Sequence, residues 1–181
     1  MYRLSRYASV MASIALGLTI GGCGSTSPQG ANPVSWVGTF CSGLGTLIVG
    51  QNQLAKTPPV DPQGAKDAML KQVDIAQQAF TNIAHELTQL GPPAITNGKQ
   101  IQNSTVGFFT NAASIVVDRR AKLAALDTND PNFVQKSNRL FSSNLAANLK
   151  PVQGMISNRE LAPAFSKAPE CRRLATTAVH Q

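Results

Sequence analysis

Between Pro62 and Gly91, seven apolar residues recur at alternating intervals of four and three: Met69, Val73, Ala76, Phe80, Ile83, Leu87 and Leu90. That period lays them on one stripe of an α-helix. Lys66, Lys71, Asp74, Gln78, His85 and Glu86 fall on the opposite positions and predict a wet face. A helix that is apolar along one stripe must bury it against other helices, so this segment alone commits the chain to helix-on-helix packing. The same spacing recurs at Val37, Phe40, Leu44, Leu47, Ile48 and Leu54, and again from Ile101 through Phe108, Phe109, Ala112, Val116 and Leu123 to Leu126. A fourth, broader pattern runs over Phe133, Val134, Leu140, Phe141, Leu145, Leu149 and Val152.

The breaks between these runs are chemically explicit. Asn32-Pro33, Asp61-Pro62 and Asp130-Pro131 each set a capping side chain before a proline, a pattern that starts helices. Thr57-Pro58-Pro59 and Gly91-Pro92-Pro93 interrupt them, and Asp127-Thr128-Asn129 reads as a turn. Ser157 and Glu160 have the spacing of a capping box, and short helices are expected around 158–167 and 169–175. No run alternates with period two between hairpin turns. The expected fold is therefore all-α: an up-and-down bundle of about four long helices plus short C-terminal helices over residues 33–175, with 176–181 a frayed tail.

The first residues read differently. Arg3 and Arg6 precede a mostly apolar run from Tyr7 to Ile20, followed by Gly21, Gly22 and Cys23. A basic start, an apolar stretch and small residues at a cut site are the parts of an export signal. As a helix the apolar run spans roughly 21 Å, short of the ~30 Å hydrocarbon core of a bilayer. No later stretch approaches a spanning length without polar residues. Ile20-Gly21-Gly22-Cys23 resembles the lipobox of bacterial lipoproteins, which places an aliphatic residue and two small ones before an invariant cysteine. The resemblance implies that residues 1–22 are removed and that the Cys23 thiol receives a diacylglyceryl group. It implies an extracytoplasmic location, lipid-anchored to the cell membrane. Gly21 departs mildly from the more usual Ala, Ser or Thr. Two acyl chains anchor stably where one does so only marginally. Residues 23–32 carry no large apolar side chain and read as a flexible tether. The competing reading is a signal cut elsewhere, with Cys23 incidental.

Lipid on Cys23 leaves Cys41 and Cys171, an even number, in a compartment that permits disulfides. Their bond would staple the two ends of the domain; two free thiols are the alternative. Removal of the signal lowers Lys+Arg from 16 to 14 against nine acids, a mildly basic +5. Arg119, Arg120 and Lys122 form one small basic cluster, and Arg172 and Arg173 another, both consistent with solvated faces.

Catalytic signals are weak. The two histidines, His85 and His180, stand apart from any ligand-like cluster, so neither a metal nor another cofactor is expected. There is no Gly-x-Ser-x-Gly elbow, and Gly43-Leu44-Gly45 lacks the remainder of a phosphate-binding loop. Nucleic-acid binding lacks a basic stripe with interleaved aromatics. Trp36 is expected to anchor one end of the bundle, and the glycines of the first segment to allow close helix packing. One sharper possibility lies in Phe40, Phe80, Phe108, Phe109 and Phe141: with an incompletely filled core they would line a pocket for an apolar ligand such as a lipid. In architecture the chain resembles lipid-anchored envelope proteins of the actinobacterial type. The leading expectation is a non-enzymatic envelope module that binds a protein or polymer. A carrier of an apolar ligand is the runner-up and a hydrolase the third reading.

Overall fold

A computed structural model describes residues 30–55, 59–141 and 150–179. Seven helices follow in order: α1 (Pro33–Ala55), α2 (Pro62–Leu90), α3 (Gly98–Ala124), α4 (Phe133–Phe141), α5 (Lys150–Ile156), α6 (Ala162–Lys167) and α7 (Pro169–Val179). None of the described residues forms a strand; a single bridge joins Ala31 to Pro93. The fold is all-α, as the periodicity requires.

The caps act where the sequence places them. Asn32 Oδ1 accepts from Val34 N at 2.8 Å, and Asp61 Oδ1 from Gly64 N at 2.6 Å. Each satisfies an amide with no intrahelical partner. Asp130 Oδ1 accepts from Asn132 N at 2.7 Å, and α4 begins one residue later. The capping box at Ser157 and Glu160 does not form. Asn158 Oδ1 instead accepts from Glu160 N at 2.9 Å and Leu161 N at 3.1 Å. The Ser157 hydroxyl turns back to the Gln153 carbonyl, and Glu160 Oε2 accepts from Thr96 N at 3.0 Å. A long-range tie to the α2–α3 connection thus takes the carboxylate that a local cap would have used. The tether also ends earlier than its composition suggests. Ala31 N donates to the Pro92 carbonyl, and Ala94 N donates to the Ala31 carbonyl, both at 2.8 Å.

α2 packs most extensively on α3 and next on α1, while α1 is flanked on its other side by α6 and α7. α1 and α2 run antiparallel and approach closely at two glycines one heptad apart. A Cβ on Gly43 would lie 2.1 Å from Ile83 Cγ1, and one on Gly50 would lie 2.7 Å from Ile75 Cγ2. Only a residue without a side chain admits isoleucine there. α1 carries no charged residue, and over Pro33–Leu54 it is long and apolar enough to cross a membrane. Polar residues such as Ser35, Thr39, Gln51 and Asn52 interrupt that stretch. Its buried residues Trp36, Val37, Phe40 and Cys41 pack into the core of the domain.

Of the fourth segment the described residues form α4 and α5, on either side of residues 142–149, which lie outside the described residues. Both pieces pack on α3. α7 continues to Val179, beyond the expected end near residue 175, and runs parallel to α1. Glu170 lies over Gly38, and Cys171 bonds to Cys41.

The core is centred on the end where α1 begins. Trp36 is fully buried, and its Nε1 donates to Gln102 Oε1 at 2.7 Å. Gln102 Nε2 donates in turn to the Leu87 carbonyl at 2.6 Å. This chain of polar bonds fixes α1, α2 and α3 at one level, as expected of a bundle-end anchor. Gln102 carried no sequence signal, because a polar residue on an apolar stripe reads as an interruption.

Candidate functional site

The two halves of α1 have different surroundings. Its first half is packed between α2, α3 and the C-terminal helices. From Ser42 to Leu54 no residue is buried. Beside this half a groove of about 530 Å³ opens between α1, α2, α3 and α4. Its floor is the core stripe of the helices that continue past the end of the packed centre. Val73, Phe80 and Val116 are buried, while Leu47, Met69 and Ala76 are half-buried. Phe141, 40% exposed, forms a wall from α4. Gln51, Gln72 and Asn138 stand at the rim.

Arg119 is the single charged side chain among the described residues lining this groove, and it is half-buried. The sequence grouped it with Arg120 and Lys122. Adjacent helical positions point in different directions, so the group splits. Arg120 bonds Asp74 through Nε at 2.5 Å and through its terminal nitrogen at 3.3 Å, and that carboxylate raises the guanidinium pKa still further. Lys122 pairs with Asp118 one turn back on its own helix. Of the second basic pair, Arg173 lies 3.5 Å from Glu170.

Two of the five phenylalanines proposed as a pocket, Phe80 and Phe141, line the groove. The other three are placed elsewhere. Phe109 is 1% exposed at the centre of an aromatic cluster, its ring centroid 5.9 Å from both Phe40 and Phe80 and 5.1 Å from Phe108. The Phe40 contact is tilted and the Phe108 contact edge-to-face, the arrangements that aromatic quadrupoles favour. Phe165 of α6 joins at 6.3 Å from Phe40. Phe40, Phe108 and Phe109 therefore fill the core instead of bounding a cavity. Met69, Gln51 and Arg119 went unnoticed as groove residues because they lie on three helices, and no single helical period relates them.

Cys41 and Cys171 form a disulfide with a Cα–Cα distance of 5.0 Å across 130 residues of sequence. The bond rules out the alternative of two free thiols. Two smaller clefts of about 260 and 410 Å³ flank the docked α7 and share Ser42 and Glu170. They follow from α7 resting on small residues of α1, and a Cβ on Gly38 would approach Glu170 Oε2 to 2.8 Å. His85 is exposed on the outer face of α2, away from the core stripe. No three described His, Cys, Asp or Glu residues are grouped to hold a metal ion.

The lipobox positions Ile20, Gly21, Gly22 and Cys23 lie outside the described residues, as does His180. The chain matches no protein-family model, and neither curated proteins nor solved structures yielded a match.

Proposed function

We propose that this protein is an exported, lipid-anchored binding module without catalytic chemistry, and that the groove between α1, α2, α3 and α4 is where it binds an apolar ligand. The groove carries this reading. Its volume of about 530 Å³ falls within the range of roughly 300–1,000 Å³ typical of small-molecule sites. Its composition, an apolar floor with a few polar groups at the rim, is that of a ligand site. This favours the ligand reading over a general envelope partner, for which no surface of comparable definition is assigned.

The cysteines support the address. With Cys41 and Cys171 bonded to each other, Cys23 is the one cysteine left for another role. A disulfide also suits an oxidising extracytoplasmic compartment. The seven residue steps from Cys23 to Gly30 reach about 24 Å when extended, so lipid on Cys23 would hold the end where α1 begins within about that distance of a bilayer.

Two measurements test the reading separately. Cys23→Ser is expected to release the protein from membranes or to leave an unprocessed precursor. Unchanged size and membrane retention would refute the anchor. Ala76→Trp fills the groove floor with an indole and is expected to reduce the apolar material extracted with the purified protein. Equal recovery from both forms would refute the site.

A further inference from the structure

From the make-up of the rim we infer that the ligand of the groove is a neutral single-chain amphiphile of the monoacylglycerol kind. Its uncharged, hydroxyl-bearing head lies at the Gln51–Gln72 end and its chain runs toward Phe80. The inference rests on the groove reading above and narrows it to one ligand class. Charge complementarity is the first argument. Arg119 is already engaged within the protein, and the other described lining residues carry no charge. An anionic head would leave water with no free cation among them to receive it, and an ammonium head with no carboxylate. Either charge would be desolvated without compensation. What the rim offers instead is three side-chain amides, Gln51 from α1, Gln72 from α2 and Asn138 from α4. An amide both donates and accepts, so it pairs with hydroxyl and ester groups without requiring a charge.

The axial layout is the second argument. Gly43 meets Ile83 and Gly50 meets Ile75, so Gln51 and Gln72 fall on the same side of Leu47 and Phe80. Four residues on α1 put Gln51 about 6 Å from the level of Leu47, and eight on α2 put Gln72 about 12 Å from that of Phe80. Between these levels the floor is Val73 and Ala76, with Val116 facing from α3. Beyond Gln72 the lining has one further apolar residue, the half-buried Met69. One apolar strip with amides toward one end suits one chain with one uncharged head.

The test uses the full mature protein in phosphatidylcholine vesicles and a monolauroylglycerol carrying a photoreactive diazirine near its methyl end. Illumination followed by peptide mass mapping is expected to place the adduct on Leu47 or Phe80. Unlabelled monolauroylglycerol should compete. Dodecylsulfonate and dodecyltrimethylammonium, of equal chain length but opposite charges, should compete several-fold less well at equal mole fraction in the bilayer. Gln51→Leu with Gln72→Leu should lower labelling about tenfold through two lost hydrogen bonds. A dodecane probe with the same diazirine should label that variant and the unaltered protein equally. Helical circular dichroism and an intact Cys41–Cys171 bond would show that the variant is folded. Equal competition by either charged analogue overturns the inference, as does an equal loss for both probes in the variant. Adducts at Met69 or Gln72, or spread over exposed residues such as Val134 and Ile156, overturn it as well. Ala76→Trp separates the two readings. If it leaves labelling unchanged, the groove reading falls and this one with it. If it blocks labelling while the charged analogues compete equally, the groove stands and the neutral head is wrong.

Discussion

The two ends of this bundle are built from the same kinds of residue and behave as different materials. At the end where α1 begins, Trp36, Phe40, Phe109 and Leu87 are buried, three helices are tied through Gln102, and α7 is bonded to α1. At the groove end α1 has no buried residue, α4 is nine residues long, and Phe141 and Val134 face outward. The apolar stripes run through both ends. What differs is how many helices converge on them. The groove end is packed at Leu123 and Phe133 but leaves more apolar surface uncovered than the other, a difference expected of a scaffold that carries a binding site.

The comparison can be broken or sharpened by substitution, from the largest effect downward. Replacing Cys41 and Cys171 together with alanine releases a 130-residue loop. The chain-entropy relation puts the loss near 4–5 kcal/mol as an upper figure, read as a lowered denaturation midpoint under non-reducing conditions. Phe109→Ala at the packed centre should cost about 3–5 kcal/mol, whereas Phe141→Ala at the groove wall, 40% exposed, should cost well under half of that. Equal costs in urea denaturation would erase the distinction between the two ends. Gly43→Ala drives a methyl into Ile83 and should cost about 1–3 kcal/mol through overpacking, while Gly45→Ala, with open space around its Cβ position, should not destabilise. Thr105 is fully buried and its hydroxyl oxygen has no partner among the described residues, so Thr105→Val should be neutral or stabilise by up to about 1 kcal/mol in the same assay.

The smallest effect concerns pH. The Asp130 carboxyl, before α4, is held below the ordinary carboxylate range, first by Lys136 and then by the Asn132 N–H. A depressed folded-state pKa contributes stability above the unfolded value, and that contribution is lost as pH falls through the folded one. Acidification should therefore loosen α4 before the packed end, seen as lower amide-exchange protection factors at Phe133–Phe141, each taken against the intrinsic rate at the same pH. Asp130→Asn should abolish that pH dependence.

Much of the fold is legible along the chain. The steps of the α2 stripe identify the buried face that Val73, Phe80, Ile83 and Leu87 occupy. Asn32 and Asp61 start helices as their side-chain chemistry dictates. Ser157 and Glu160 show where such reading stops. The local spacing fits a cap, but a free amide at Thr96, 64 residues away, binds the carboxylate. The candidate site is legible only in part. Phe80 and Phe141 could be named from their type, whereas Phe40 and Phe109 have the same signature and are core.

By itself the sequence determined the helices, their inward faces and the parity of the cysteines, because periodicity, capping and residue counts act within a few residues or over the whole chain at once. Only the tertiary structure decided which glycines admit a neighbouring isoleucine, which phenylalanines meet one another, and which arginine of a basic run turns into an apolar groove. The physical reason is that a helical period states which side of a helix avoids water. What lies opposite that side, and whether it covers it, depends on several helices arriving at one place.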